Sequence, residues 1–288
     1  MKLLIRHLPL FLSTALLFLI VPFSVHGQSK SLSIVSYNIR YANEGDAPNT
    51  WNARKDKVFS LIREAKPDVF GLQEALFSQV TDVEKAFPTF ARIGVGRDDG
   101  KTAGEFSPLF YNTSRFQLLA SGTFWLSQTP AVAGSRGWDA ACNRVVTWLK
   151  LSDKTNNKDI LVFCTHFDHM GEVARRNSAS LLLHAVDSLS GTNPAVVIGD
   201  FNATPDSEPY KIITSGNGKL IDARTKAKSS DGPLYTYTGF KVGEIKGEQI
   251  DYVFLKGITE VKSIFVNEHN SGGYYPSDHL PVNAVLNY

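Results

Sequence analysis

The chain has 288 residues, with 30 Lys and Arg residues, 28 Asp and Glu residues and two cysteines, Cys142 and Cys164. This balance excludes the broad basic surface that long nucleic acid requires, and two cysteines exclude a disulfide framework. Both cysteines lie in apolar, strand-like stretches, so we expect two free, buried thiols. A single bridge is the alternative in an oxidising compartment.

The first 27 residues have the pattern of a secretory signal peptide. Lys2 and Arg6 precede an apolar run from Leu8 to Val25, and Val25-His26-Gly27 is an acceptable cleavage site. An uncleaved membrane anchor is the alternative, because the run approaches spanning length. We expect a signal peptide over residues 1–27 and one mature domain over 28–288, secreted or periplasmic. Loss of Lys2 and Arg6 leaves that mature chain with 28 basic and 28 acidic residues, which is neutral.

Short strand-like runs recur along the rest of the chain. In chain order they are "LSIVSY", "DVFGLQ", "SPLFYN", "RVVTWLKL", "DILVFCTHF", "AVVIGDF", "QIDYVFL" and "PVNAVLNY". The fourth and fifth runs predict a hairpin around a polar Asp-Lys-Thr-Asn-Asn turn. Many strands with few helices favour a two-sheet sandwich with helices outside.

Two segments have helical periodicity. The first, "RKDKVFSLIREAK", places Val58, Leu61, Ile62 and Ala65 on one face and ends at Pro67. The second, "EVARRNSASLLLHAVDSL", offers an apolar face made of Val173, Leu181, His184, Ala185 and Leu189.

Polar residues stand where six of the apolar runs end or begin. They are Asn38, Glu74, the trio His166, Asp168 and His169, the pair Asp200 and Asn202, then Asp251, and finally Asp278 and His279. Side chains two residues apart in a strand point to the same side, so Asp200 and Asn202 face one space. Each residue alone has a plain structural reading, such as a turn former or a cap. Gathered at one sheet edge, they would line a cleft of carboxylates, amides and imidazoles that suits a hard divalent cation.

The ordered set "SYNIRY", "GLQEA", "THFDH", "IGDFNATPDS", "QIDYVF" and "SDHLPV" resembles the endonuclease/exonuclease/phosphatase superfamily. The resemblance spans roughly residues 31–288. It implies an α/β fold, a four-layer αββα sandwich of two mostly antiparallel sheets with outer helices. It also implies a metal-dependent phosphoric ester hydrolase, with Mg²⁺ as cofactor and Mn²⁺ as the alternative.

The resemblance assigns roles to the metal site. Glu74 is implied as the main Mg²⁺ ligand, with Asn38 beside it and Asp278 as a further ligand. A single Mg²⁺ with few protein ligands leaves positions for a phosphate oxygen and a water.

The resemblance also assigns catalytic roles. His279 is implied to contact the scissile phosphate, with Asp251 orienting its ring. Asp200 is implied to position or deprotonate the attacking water, with Asn202 holding the phosphate or that acid. His166 matches the phosphate-binding histidine of many members.

Other residues are candidates for substrate binding. We expect Asp168 and His169 to lie near the substrate. Arg144 contacts a phosphate or, in the alternative reading, forms a salt bridge at a strand edge. Trp138 lies in a loop and is the better candidate for stacking on a ring, whereas Trp125 is expected in the core.

The branch within the superfamily is harder to assign. No Trp precedes "GD" and no Arg follows the Asn closely, unlike the inositol phosphatases. The neutral mature chain is unlike the abasic-site endonucleases, and two cysteines are too few for pancreatic-type deoxyribonucleases. The segments "THFDHMGEVARRNSASLL" and "WDAACNRVVTWLKL" are closer to the nocturnin/deadenylase-like and secreted bacterial members.

We therefore expect an exported Mg²⁺-dependent phosphohydrolase that cleaves phosphodiester or phosphomonoester bonds by metal-assisted water attack. A nuclease-like enzyme or small phosphodiesterase is the leading reading, acting as a monomer on nucleic acid, a nucleotide or a lipid headgroup, with no stable protein partner. A sphingomyelinase-like lipid phosphodiesterase is the alternative, because segment 225–249 contains Leu234, Tyr235, Tyr237 and Phe240. That segment reads better as a substrate-side loop. A non-catalytic binding protein on the same scaffold is the alternative of another class.

Overall fold

A computed structural model describes residues 31–216, 218–243, 247–270 and 272–288. The expected signal peptide over residues 1–27 lies outside these ranges. Within them, no helix combines the length and apolar character needed to cross a membrane.

Two mixed β-sheets form the centre of the fold. In spatial order, the first sheet contains β10 (Ala227–Asp231), β12 (Glu260–Val266), β13 (Val282–Asn287), β1 (Leu32–Asn38), β2 (Val69–Gln73), β4 (Leu109–Asn112) and β3 (Phe90–Ile93). The second contains β5 (Phe116–Trp125), β6 (Val145–Asp153), β7 (Lys158–His166), β8 (Ala195–Asp200), β11 (Asp251–Lys256) and β9 (Ile221–Asp222). Neighbouring strands are mostly antiparallel; β1 with β2, β10 with β12 and β7 with β8 are parallel.

Helices cover the outer faces of the two sheets. They are α1 (Trp51–Ala65), α2 (Phe77–Ala86), α3 (Glu172–Ser190) and α4 (Glu208–Thr214), with 3-10 turns at Glu44–Asp46 and Ala223–Lys226. One apolar cluster joins α1 and α2 to the first sheet, and another joins α3 and α4 to the second. The predicted four-layer αββα sandwich is confirmed.

The core between the sheets follows from strand alternation. In β1, Leu32 and Ile34 face the second sheet, while Val35 and Tyr37 face the helices. The sheets approach each other closely at Gly71 of β2. A Cβ there would lie 2.6 Å from Ile198 Cδ1 and 2.8 Å from Cys164 Sγ, so the close approach requires glycine.

The predicted face of α1 is confirmed. Val58, Leu61 and Ile62 are buried, and the helix ends at Ala65. Lys66 follows with a left-handed φ of 46°, which is a common way to end a helix. Pro67 then prevents its continuation.

The predicted face of α3 is wrong for three of its five residues, whereas Leu181 and Ala185 are half-buried. Val173 and Leu189 are exposed, as is His184. The helix instead buries Ala174, Ser178, Leu182 and Val186, spaced by four residues. Small residues at the first two positions let the helix approach the sheet closely, and a search for large apolar residues overlooks them.

The hairpin prediction is confirmed, because β6 pairs with β7 from Asp153 opposite Lys158 up to Val146 opposite Thr165. Both cysteines are free, as expected. Cys164 is buried, but Cys142 is half-exposed in the loop before β6, so the expectation that both thiols are buried is wrong for Cys142.

Candidate active site

Strand alternation brings four of the predicted residues to one edge of the inter-sheet space. Asn38, His166 and Asp200 end β1, β7 and β8, and Asp251 begins β11. In each strand, the residue lies an even number of positions from a core residue of that same strand, as Asn38 does from Ile34. Its side chain therefore faces the other sheet. The register places Asp200 opposite both His166 and Asp251.

Asn38 connects the predicted metal ligand to the predicted base. Its Nδ2 donates to Glu74 Oε1 at 3.1 Å and to Asp200 Oδ2 at 3.0 Å. Its Oδ1 accepts from the Arg40 backbone N–H at 3.0 Å, which leaves that oxygen one further lone pair for a cation. Glu74 adopts a left-handed φ of 62°, a conformation that costs roughly 1–3 kcal/mol and is typical of functional positions.

Glu74 and Asp278 form an acidic pair on the wall of this cleft. Burial raises the pKa of Asp278. The charge of His279 lowers this pKa in part, and the Glu74 carboxylate raises it further. The Arg40 guanidinium lies 3.9 Å from each carboxylate and is held by Asp46 at 2.9 Å. Two carboxylates and a carboxamide oxygen are hard ligands, and a divalent cation between them would relieve their repulsion, so these residues fit Mg²⁺.

His279 and Asp251 form a buried hydrogen-bonded pair. His279 Nδ1 lies 2.8 Å from Asp251 Oδ2. Burial disfavours the charged ring, but Asp251 and Asp200 outweigh it and raise the pKa of His279 well above its ordinary value. Burial and the Asp251 carboxylate raise the pKa of Asp200 to about 7. One ligand atom from each of Asp200, Asp251 and His279 lies within 4.8 Å of the others, which is close enough to hold a metal ion.

His166 is held in its neutral form. Burial lowers its pKa well below the ordinary value, and the nearby Arg144 and Arg97 lower it further. Its Nε2 faces Asn202 Nδ2 at 3.1 Å and Asp200 Oδ2 at 3.4 Å. Because Asn202 Nδ2 is a donor, His166 Nε2 accepts this hydrogen bond, and the ring hydrogen of the neutral imidazole is on Nδ1. That buried Nδ1 has no hydrogen-bond partner among the described residues.

Asp168 organises the loop around Arg144. It accepts backbone N–H bonds from four residues, namely Ala141, Cys142, Met170 and Gly171, at 2.8–3.1 Å. Burial alone would raise the pKa of Asp168, but these donors hold it well below the usual range. Arg144 Nε lies 3.4 Å from the same carboxylate, and its Nη2 lies 3.0 Å from His169 Nδ1.

The carboxylate partner of Arg144 therefore already accepts four shorter hydrogen bonds from backbone N–H groups. The buried Nη1 of Arg144 has no hydrogen-bond partner in the described part of the chain. Cys142, Asp168 and His169 also lie close enough to hold a metal, but the hydrogen bonds that Asp168 already accepts and the Arg144 charge make this a poorer cation site.

A cavity of about 510 Å³ collects most of the predicted residues. It is lined by Glu74, Arg144, His166, His169, Asp200, Asn202, Asp278 and His279, together with Arg40, Tyr41, Arg97, Glu105, Cys142, Tyr237, Glu248 and Ile250. We call it the catalytic cavity. Trp138 is half-buried and does not belong to this lining, whereas Trp125 is buried in the core as expected.

Several lining residues were missed from the sequence. Arg97 and Glu105 come from the loop between β3 and β4, where Arg97 Nη1 donates to Glu105 Oε2 at 2.5 Å. The signal is the density of glycines and charges in "GRDDGKTAGEF". The ring of Tyr237 lies 5.1 Å from that of His279, edge to face, and comes from the segment expected to be a substrate-side loop.

The chain belongs to the Endonuclease/Exonuclease/phosphatase family, whose model matches residues 35–279. Members of this family are hydrolases of phosphate esters that typically depend on a divalent metal.

Solved and curated relatives agree with this assignment. An endonuclease/exonuclease/phosphatase from Bacteroides vulgatus is 41% identical to this chain, with a TM-score of 0.86. The match covers 89% of this chain and 98% of the Bacteroides vulgatus chain. A Bacteroides thetaiotaomicron mannosyl-6-phosphatase is 34% identical, covers 90% of this chain and 100% of that one, and also has a TM-score of 0.86. Rat nocturnin is 26% identical over 269 residues, covering 80% of this chain but only 57% of that protein.

Proposed function

We propose that the protein is an exported hydrolase of small phosphate esters that uses Mg²⁺, with Mn²⁺ as a substitute. The observation that carries this proposal is the convergence of Glu74, Asp278, Asp200 and His279 on one cavity. Glu74, Asp278 and the Asn38 carboxamide oxygen would hold the metal, which would supply positive charge against the phosphate oxygens.

Asp200 is the base that accepts a proton from the attacking water. Its raised pKa, about 7, brings it close to the operating pH, where a general base is most effective. Asn38 fixes the carboxylate by donating to Oδ2, and the Asn202 backbone N–H donates to Oδ1 at 2.9 Å.

His279 donates a hydrogen bond to the phosphoryl oxygen. Asp251 keeps the ring charged and fixes its orientation, so Nε2, which lies 3.7 Å from Asp200 Oδ2, carries a hydrogen and can act as a donor. Arg144 adds a guanidinium suited to non-bridging phosphate oxygens. These groups stabilise the charge that develops as the phosphorus–oxygen bond breaks.

The size and charge of the site favour a small ester over long nucleic acid. The catalytic cavity is about 510 Å³, within the roughly 300–1,000 Å³ usual for small ligands. The neutral mature chain lacks a polymer-binding charge excess. The 34% identical relative is a mannosyl-6-phosphatase, which supports the phosphomonoester branch of the prediction.

The test is hydrolysis of p-nitrophenyl phosphate and bis-p-nitrophenyl phosphate by the purified protein, with Mg²⁺, with Mn²⁺ and with excess chelator. We expect metal-dependent release of nitrophenol that Asp200→Asn abolishes. Equal release by wild type and Asp200→Asn, or full activity in chelator, would refute the proposal.

Export is tested separately. We propose cleavage after Gly27, so mass spectrometry of the protein from its native host should give a chain that begins at Gln28. An intact Met1 terminus in the cytoplasmic fraction would contradict export while leaving the chemistry untouched.

A further inference from the structure

Arg54 is a buried cation behind the candidate active site. It lies in the first turn of α1, and only 3% of its surface is exposed. Its guanidinium donates five hydrogen bonds, to the backbone carbonyl oxygens of Ile39, Arg40, Tyr41, Asn49 and Pro276. None of these bonds goes to a carboxylate. Arginine is rarely buried this deeply unless it is paired with an acid, so the arrangement points to a role other than an ion pair.

Three of the five carbonyls belong to the turn that follows β1. Arg54 Nη1 donates to the Ile39 oxygen, and Nη2 lies 2.6 Å from the Arg40 oxygen and 3.4 Å from the Tyr41 oxygen. Arg40 has a left-handed φ of 53°, which is an unfavourable conformation for a residue other than glycine. The guanidinium therefore holds a turn that the local sequence does not favour.

The same turn directs its N–H groups at two proposed metal ligands. A planar trans peptide unit points its oxygen and its hydrogen in opposite directions. Because Arg54 holds the Ile39 oxygen, the Arg40 N–H points away from Arg54 and donates to Asn38 Oδ1 at 3.0 Å. In the next peptide unit, the Tyr41 N–H donates to Glu74 Oε2 at 3.2 Å.

The guanidinium also joins this turn to the loop before β13. Arg54 Nη1 lies 3.3 Å from the Pro276 oxygen, two residues before the third proposed ligand, Asp278. Ser277 Oγ makes a second link between the two segments, because it donates to the Asn38 backbone oxygen at 2.7 Å. One side chain thus binds both segments that carry or orient the proposed ligands.

We propose that Arg54 is a positioning residue that holds the proposed Mg²⁺ ligands Asn38, Glu74 and Asp278 in the arrangement seen here. This inference rests on the metal position in the proposed function. Arg54 is not among the residues that line the catalytic cavity, so it acts through the peptide groups that it binds. A planar guanidinium fork can satisfy several carbonyls in fixed directions, which a lysine ammonium on the same helix cannot do.

The positioning role and a purely electrostatic role predict opposite effects on Mg²⁺. A positive charge buried behind a cation site repels the cation, so removal of the charge alone should strengthen Mg²⁺ binding. Loss of positioning should weaken it, because groups that orient metal ligands typically contribute about 10–100-fold to metal affinity.

The test is calorimetric titration of Mg²⁺ into wild type, Arg54→Met and Arg54→Lys, each shown to be folded by circular dichroism. We expect both variants to bind Mg²⁺ about 10–100-fold more weakly. Lysine keeps the charge but not the fork, so it should not restore the affinity. An affinity in either variant that equals or exceeds that of wild type overturns the positioning role.

Arg115→Met is the matched control. Arg115 is as deeply buried as Arg54, but its guanidinium pairs with Asp68 at 2.6 Å and Asp153 at 2.5 Å, outside the catalytic cavity. This variant should lower the urea midpoint and leave the Mg²⁺ affinity unchanged. A parallel loss of Mg²⁺ affinity in Arg115→Met would show that general destabilisation explains the effect, which overturns the positioning role.

If the Arg54 variants do not fold, amide hydrogen exchange of wild type decides. The Arg40 and Tyr41 amides should exchange slowly without Mg²⁺ and change little when it is added, because Arg54 already fixes the turn. Fast exchange that becomes slow only with Mg²⁺ would show that the metal orders the turn, which overturns the inference.

The outcomes also separate this inference from the proposed function. Unchanged Mg²⁺ affinity in the Arg54 variants of a protein that hydrolyses phosphate esters overturns the positioning role and leaves the hydrolase intact. Weaker Mg²⁺ binding in the variants of a protein that hydrolyses no phosphate ester supports the positioning role while the hydrolase proposal fails. A wild type that binds no Mg²⁺ overturns both.

Discussion

His279 lies between two carboxylates, with Nδ1 2.8 Å from Asp251 Oδ2 and Nε2 3.7 Å from Asp200 Oδ2. The shorter contact is a hydrogen bond that fixes the ring, and the longer one exceeds hydrogen-bond length, so Nε2 is not held by a carboxylate. His279 lines the catalytic cavity. Asp251 begins a strand and His279 follows a loop 28 residues later, so only the fold brings them together.

The first prediction concerns this pair as a unit. His279→Ala removes the donor, and Asp251→Asn removes the charge that keeps the ring protonated. Each should reduce kcat by roughly 10²–10⁴-fold, the range of positioned acid–base groups. Steady-state kinetics on p-nitrophenyl phosphate measures both.

The double variant shows whether the two residues act together. We expect it to be little slower than the slower single variant, because each change already disables the shared function. Fully additive losses, or a near-normal rate for His279→Ala, would show that the contact has no catalytic role.

The second prediction concerns the acidic pair. Glu74→Gln keeps the size of the side chain but removes one charge from the proposed metal position. We expect activity to fall by more than about 10²-fold. Changing a group that only hydrogen-bonds to a metal ligand already lowers metal affinity or activity about 10–100-fold. Mg²⁺ affinity, measured by calorimetry, should fall in parallel.

The matched control for Glu74 is Glu84→Gln, which changes an acid of α2 that pairs with Arg92 outside the catalytic cavity. It should retain both activity and Mg²⁺ affinity. If Glu74→Gln binds Mg²⁺ as tightly as wild type, the metal lies elsewhere, and the cluster of Asp200, Asp251 and His279 becomes the position to test.

The third prediction concerns the two thiols. Burial raises the pKa of Cys164 to about 12, despite a hydrogen bond from Gln73, so this thiol stays protonated and unreactive. Cys142 is half-exposed on the wall of the catalytic cavity. We expect iodoacetamide to label one thiol per folded chain and none in Cys142→Ser. Labelling of Cys164 in the folded protein would show that the sheets open there.

Much of the candidate active site could be predicted because its residues lie at strand ends. Asn38, His166 and Asp200 each follow a buried strand with an unbroken alternation, so the sequence itself places them on a common face. The order of the motifs indicated the family, and the resemblance to that family predicted the sandwich fold.

The remaining features depend on how loops and helices pack, which local pattern does not determine. Arg97 and Glu105 reach the cavity because the loop between β3 and β4 folds over it. Trp138 lies in a loop, which made it a candidate for stacking on a ring, but it is not among the residues that line the cavity. The buried face of α3 is chosen by fit against the sheet, which favours Ala174 and Ser178 over the larger Val173.

The last prediction concerns acid stability, through Asp153 at the end of β6. Its carboxylate is buried and accepts hydrogen bonds from Arg115, Thr155 and Tyr288. Burial alone would raise its pKa, but Arg115 and the other donors lower it to about 2. The unfolded pKa is about 3.9, so this group stabilises the fold fully above about pH 5 and loses its contribution progressively as the pH falls from about 5 to about 1.

We therefore compare wild type with Asp153→Asn by urea unfolding at pH 7, 5, 4 and 3. At pH 7 the variant should be less stable by about 3–5 kcal/mol, the usual cost of removing one partner from a buried ion pair. The difference should stay constant down to about pH 5 and then shrink, because only the wild type has this carboxylate to protonate. Asp159→Asn changes a half-exposed acid that pairs with Lys150 at 2.9 Å, and it should cost at most about 1 kcal/mol. A difference between wild type and Asp153→Asn that does not change from pH 7 to pH 3 would show that ionisation of Asp153 does not contribute to folding.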